Sequence, residues 1–496
     1  MIKRKVSIFL TAVLLSCSLF PRMVMAAPAE SENESETDTG TGTVNTVPPS
    51  IEAESAILMD AETGIVLYEK NSHIRQYPAS ITKIMTALLA QENCDMDEVI
   101  TFSHNAVYTV ERGSSNIGID EKETLTMEDA LYALLLASAN EVANGIAEYV
   151  AGSVDAFADL MNEKAKELGC EDTHFVNPHG LPDDNHYTSA YDMALIARAF
   201  FSYDNLSSIS GTAFYHINAT ATQPDEIDLG NHNKMLPGTN RGSKYYYDGL
   251  VGGKTGYTDV ARQTLVTCAQ RDDVRLICVV MKDESPSQYK DSAALYDYGF
   301  ANYRKISAWD VTDGQKLIDE ACRTAENMTG MPYQVIEDPS EKDAFLLIKN
   351  TSQTSDLTYT TSFDKENSQV TFWFADGNRE AGSVVVPVYE IQQFQDQQQT
   401  LTDEGNTDVI SGQIQVADTN GKNQGAKNIF VGILKVLFGI LLAVAVVFVV
   451  FAFLIRKKVE AERERARRRK ELMERRRRRQ EQEQSDLAKN EEDEEE

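Results

Sequence analysis

Apolar and polar positions divide the chain into stretches of different period. Val6 to Phe20 is one continuous apolar run, and Val436 to Ile455 is a second, 20 residues long and free of charge. Residues 27–50 and 391–428 are rich in Ser, Thr, Glu, Gln, Asp and Gly; such stretches bury too little apolar surface to fold and are read as a disordered acidic spacer and a polar linker. Residues 51–303 mix two periods. Ala56–Asp60 and Gly64–Tyr68 predict a hairpin around Glu62-Thr63, while Ser80–Leu89, Met127–Val150 and Phe157–Leu168 predict helices. Thr264–Ala269 and Arg275–Met281 predict paired strands around Asp272-Asp273. In 304–390 a helix over Gly314–Met328 precedes four short β-rich runs, 344–349, 357–363, 369–375 and 383–389, which predict a small all-β module. The fold class is α/β.

The two long apolar runs place the chain at a membrane. Lys3, Arg4 and Lys5 precede the first run and Val24-Met25-Ala26 offers a small-residue cleavage site, so residues 1–26 read as a secretory signal peptide. The second run is long enough for a helix to cross the hydrocarbon core, about 30 Å at 1.5 Å per residue. Residues 429–455 are therefore expected to form a single transmembrane helix. Arg456-Lys457-Lys458 follow at once and keep the 456–496 tail cytoplasmic, with the preceding chain outside.

Charge sharpens this layout. The net charge of −30 is an average: residues 1–26 carry +4, residues 456–496 carry +1, and the stretch between carries −35. An acidic body lacks the clustered Lys and Arg that bind phosphates, which excludes a nucleic-acid partner. The 14 basic residues of 456–479 read either as a solvated stop-transfer flank or as a segment that meets anionic lipid or a partner.

Outside the signal peptide, Cys94, Cys170, Cys268, Cys278 and Cys322 form no disulfide framework or zinc spacing, and buried free thiols are expected. No His-based metal motif, phosphate loop, dinucleotide fingerprint or G-x-S-x-G elbow occurs, so no cofactor is implied. Three short motifs remain. In Ser80-Ile81-Thr82-Lys83, positions i and i+3 share a helix face, which sets an amine beside a hydroxyl. A serine is a weak nucleophile until a neighbour takes its proton, and lysine can be that neighbour only when burial or a second cation destabilises its ammonium. Lys254 of Lys254-Thr255-Gly256, just ahead of the strand pair, can be that second cation; Ser138-Ala139-Asn140, in a predicted helix, offers a relay hydroxyl and an amide. Each motif alone is weak: Ser287-Gln288-Tyr289-Lys290 is another S-x-x-K, and S-x-N recurs at Ser31, Ser103 and Ser114. Their order and context decide, since Ser80 alone follows Pro-Ala and opens a helix.

With these motifs, residues 51–390 resemble the low-molecular-mass penicillin-binding proteins that are serine-type D-alanyl-D-alanine carboxypeptidases. Leu58 to Gly64, Asn177 to Pro182, Tyr191 to Ala194 and Tyr298-Gly299-Phe300 add to the likeness. The resemblance implies a β-lactamase/transpeptidase-like catalytic domain over 51–303, an antiparallel sheet with flanking helices, and a β-rich second domain over 304–390. It implies Ser80 as nucleophile, Lys83 as general base and Ser138 as proton relay. Asn140, Lys254, Thr255 and Gly256 would bind substrate, and the N–H groups of Ser80 and Tyr257 would form the oxyanion hole. The implied partners are peptidoglycan stem peptides, with β-lactams as acylating inhibitors.

Three departures stand out. Residue 141 is Glu where the family commonly has Asp. The arginine expected after the strand pair is missing from 282–290, leaving Lys282 or Lys290 to stand in. A true span replaces the family's amphipathic membrane helix. A D,D-endopeptidase, a penicillin sensor and a β-lactamase are the alternatives; the last needs an E-x-x-L-N loop, which 151–185 lacks.

Overall fold

A computed structural model describes residues 47–391 apart from 240–243, 337 and 342. The expected signal peptide, most of both polar spacers, the 429–455 span and the charged tail lie outside the described residues. Among the described residues no helix is long and apolar enough to cross a membrane.

The strand-forming runs assemble into one five-stranded sheet. Its members are β1 (Ser55–Asp60), β2 (Val66–Lys70), β3 (Leu250–Thr258), β4 (Arg262–Arg271) and β5 (Val274–Asp283), in the order β2-β1-β5-β4-β3. Every neighbouring pair is antiparallel, and Asp272 takes positive φ in the tight turn between β4 and β5. The central strands are apolar on both faces because both faces are covered. In β5, Ile277, Val279 and Met281 point into one core and Leu276, Cys278 and Val280 into another, the period of two that a strand imposes.

The larger core is filled by α1 (Lys83–Asn93), α2 (Met127–Leu135), α3 (Asn140–Ala151), α4 (Val154–Glu167) and α5 (Ala190–Phe201). The opposite face is closed by α6 (Ser287–Asn302), whose Tyr289, Leu295 and Tyr296 join the second core. Beyond it β6 (Tyr303–Ser307) pairs with β7 (Phe345–Lys349), and β8 (Leu357–Asp364), β9 (Gln369–Asp376) and β10 (Arg379–Pro387) form a three-stranded sheet. A third core lies under that sheet.

Two of the expected helices are corrected. The helix expected over Met127–Val150 is two helices, broken at Ser138, whose φ of 62° is incompatible with continued right-handed helix. Ser80 lies not in α1 but in the 3₁₀ turn Ala79–Thr82 that leads into it. Lys254-Thr255-Gly256 comes just ahead of the expected pair, as read, and lies in a further strand, β3. In 304–390 the helix expected over Gly314–Met328 is α7 (Gly314–Thr329), which gives Leu317, Ala321 and Ala325 to the core beneath the strands. The five cysteines are free; Cys94, Cys268 and Cys278 are buried as expected, but Cys170 and Cys322 are only half-buried.

Candidate active site

Two strained backbone positions build the site. Ala79 has φ 52° and Ser138 has φ 62°, the left-handed region that costs an ordinary residue of order 1 kcal/mol or more. The first turns the chain just before Ser80, and the second lifts Ser138 out of a helix two residues before Asn140. The 177–181 loop backs the first turn. Gly180, at φ 88°, lies so close that a Cβ there would sit 1.8 Å from the Ala79 carbonyl oxygen. On the other side Thr264 Oγ1 donates to the Pro78 carbonyl at 2.9 Å. A Cβ on Gly256 would lie 2.9 Å from the Ser80 nitrogen and 2.3 Å from Thr264 Oγ1, so only glycine lets β3 run this close to the serine turn. Sequence elements more than 170 positions apart are thus pressed together around one hydroxyl.

Lys83 is the hub. Its side chain is fully buried, and Nζ lies 2.6 Å from Asn140 Oδ1, 2.7 Å from the His179 carbonyl oxygen and 3.2 Å from Ser80 Oγ. The two shorter partners are acceptors only, whereas the third is a hydroxyl that can also donate. An ammonium can donate to all three, and a neutral amine can donate to Asn140 and His179 with its lone pair left for the Ser80 hydroxyl. Burial pushes the Lys83 ammonium well below the usual lysine range, the Lys254 charge pushes the same way, and Glu141 opposes them. Lys254 is itself buried, and burial brings its pKa down to about 7 while Nζ donates to the Thr255 carbonyl at 2.8 Å.

The motifs therefore converge, with one refinement. Asn140 holds Lys83 directly. Ser138 is buried on the same turn, with its Oγ bonded to no other described residue. Tyr257 is exposed at the rim beyond Gly256. Of the lysines offered in place of the missing arginine, Lys282 is engaged 2.8 Å from Glu54. The cation that reaches Tyr257 is Arg262, whose guanidinium lies 5.8 Å from the ring and binds Glu284 through two contacts of 2.7 Å.

Sequence reasoning missed three contributors. The His179 carbonyl has no signature, because any residue supplies one. His186 Nδ1 accepts from the Val176 N–H at 3.1 Å, which leaves Nε2 to donate to Thr82 Oγ1 at 2.9 Å. Burial holds that imidazole neutral, its pKa pushed down to about 3. Arg262 reaches the rim only through the β3–β4 turn.

This architecture is that of the penicillin-binding, transpeptidase-like α/β proteins. Penicillin binding protein 5 of Haemophilus influenzae superposes with a TM-score of 0.53 at 24% identity, over 69% of this chain and 98% of its own, a likeness of fold. The family model described as Peptidase S11, D-alanyl-D-alanine carboxypeptidase, matches residues 42–285. D-alanyl-D-alanine carboxypeptidase DacB2 of Mycobacterium tuberculosis is 30% identical over 259 residues, 51% of this chain and 84% of that protein. DacF of Bacillus subtilis, a D-alanyl-D-alanine carboxypeptidase, is 36% identical over 259 residues, 51% of this chain but 63% of its own length, under two thirds. The chain belongs to the D-alanyl-D-alanine carboxypeptidase family, peptidase family S11.

Proposed function

We propose that this protein removes the terminal D-alanine from peptidoglycan stem pentapeptides through a Ser80 acyl-enzyme, and that β-lactams acylate the same serine. The observation that carries the reading is the contact set of Lys83: a buried amine with two acceptor-only partners and its third contact on the serine hydroxyl. Lys83 takes the Ser80 proton as Oγ attacks the carbonyl of the penultimate D-alanine. Negative charge on the carbonyl oxygen is received by the N–H groups of Ser80 and Tyr257, each such donor contributing a few kcal/mol in other acyl transfers. Ser138 passes a proton to the departing amine, the C–N bond breaks, and free D-alanine leaves an ester on Ser80. Water, giving its proton to the same base, hydrolyses the ester and restores the hydroxyl. Lys254 and Thr255 hold the terminal carboxylate. Asn140 keeps the lysine aimed and meets the peptide backbone.

In this reading 51–303 is the catalytic domain and 304–390 a separate second domain, supported by its own core. Residues 1–26 export the chain, the apolar run within 429–455 anchors it as a single span, and the tail stays in the cytoplasm. The test uses the full-length protein in detergent with a D-Ala-D-Ala-terminated pentapeptide. D-Alanine is released by the wild type and not by Ser80→Ala. A wild type that neither releases D-alanine nor becomes labelled by fluorescent penicillin refutes the reading.

A further inference from the structure

The first turn of α3 carries a group the reaction above does not use. Glu141 follows Asn140 and is 2% exposed, in a protein whose other acidic residues lie mostly at the surface. One carboxylate oxygen accepts the Ile117 N–H at 2.7 Å, and the other has no partner among the described residues. The neighbouring Asn140 N–H donates to the Ser115 carbonyl at 2.9 Å, so the 115–117 backbone is pinned twice to this turn. On its other side the same turn sends the Asn140 side chain to Lys83. A half-satisfied buried carboxylate is costly by itself. Its charge acts on Lys83, one of the two buried lysines of the site.

We propose that Glu141 is a positioning residue of the acylation machinery: its carboxylate is the buried anion that balances Lys83 and seats the 115–117 segment against the turn that aims that lysine. This inference rests on the function proposed above and adds a residue to it. The groups that face Lys83 are Lys254 from β3, Glu141 from α3, and His179 and His186 from the 177–188 loop. The Lys83 charge in turn acts on Glu141. In the segment pinned to it, Glu111, Arg112, Asp120 and Lys122 are exposed, as is His104 at the start of the preceding helical turn. Burial drives Lys83 and Glu141 both toward their neutral forms, and each charge supports the other. Removing the carboxylate charge therefore makes Lys83 harder to protonate.

The experiment measures the rate of Ser80 labelling by fluorescent penicillin against pH, in detergent-solubilised full-length protein. Glu141→Gln keeps an oxygen for the Ile117 N–H and loses the charge; its acid limb moves to lower pH than that of the wild type. Glu141→Asp keeps the charge but shortens the reach; it labels more slowly at every pH while its acid limb stays in place. A Glu141→Gln profile that is merely lower everywhere, with an unmoved limb, overturns the proposal. If that variant does not fold, an acid limb in Glu141→Asp displaced to lower pH does the same. A wild type that is not labelled at any pH removes the functional reading itself, which separates the two failures.

Discussion

Gly256→Ala isolates what the close approach of β3 to the serine turn contributes. The added Cβ would sit 2.3 Å from Thr264 Oγ1, 2.9 Å from the Ser80 nitrogen and 3.2 Å from Ala79 Cβ. Ordinary carbon contacts begin at roughly 3.5 Å, so β3 and the serine turn must separate by about 1 Å. Two of the three contacts belong to the Ala79–Ser80 turn and the third to the Thr264 side chain that holds it through Pro78. The displacement falls between the N–H of Ser80 and the N–H of Tyr257, the two proposed oxyanion donors. Misplacing one such donor by this much costs about 10²–10³ in acylation rate. Overpacking adds a stability loss of about 1–3 kcal/mol. Stopped-flow labelling with fluorescent penicillin reads the first effect and thermal unfolding the second. A variant that melts lower but acylates at close to the wild-type rate would refute the argument, because the strand would then carry no oxyanion donor.

Further outcomes follow from the same contacts. Lys83→Met keeps the length of the side chain but removes the base, and acylation falls by about 10²–10⁴ while the fold persists, checked by labelling and circular dichroism. Because Lys254 pushes the Lys83 ammonium downward, Lys254→Met moves the acid limb of acylation to higher pH, opposite to Glu141→Gln. Lys254 itself loses its charge as pH rises through about 7, so KM for a carboxylate-ended peptide rises above that pH. At the end of β5, burial and the neighbouring Asp291 push the Asp283 carboxyl up to about 7. The folded state then keeps a proton that the unfolded chain releases near pH 4, so the Asp283 contribution to stability is fully present below pH 4 and is lost as pH rises through about 7. Asp283→Asn carries no such proton and flattens that decline in unfolding temperature measured from pH 4 to 7.

The hairpin around Glu62-Thr63, the strand pair around Asp272-Asp273 and the helices at 83–93 and 154–167 were legible because each shows its own period over several residues. The short list Ser80, Lys83, Ser138, Asn140, Lys254 came from residue types at local spacings, and the structure sets Ser80 and Asn140 against Lys83, with the Lys254 charge acting on it. The break at Ser138 was not legible. Its apolar pattern continues through the motif, and the left-handed φ is imposed by what α3 must meet, namely the Ser115 carbonyl and Lys83. The strand carrying Lys254-Thr255-Gly256 was hidden for a related reason, since glycines have low strand propensity and Gly256 is there to admit the serine turn.

By itself, then, the sequence determined the α/β class, several elements and the family resemblance, because periodicity and local spacing are properties of neighbours. Only the tertiary structure decided that Lys83 is buried among Asn140, the His179 carbonyl and Ser80, that Lys254 lies near enough to weaken its hold on a proton, and that Arg262 rather than Lys282 reaches the rim. Proton affinity depends on desolvation and on charges brought together through space. Residues 83, 140, 179 and 254 acquire those surroundings only when the sheet and the helices close on one another.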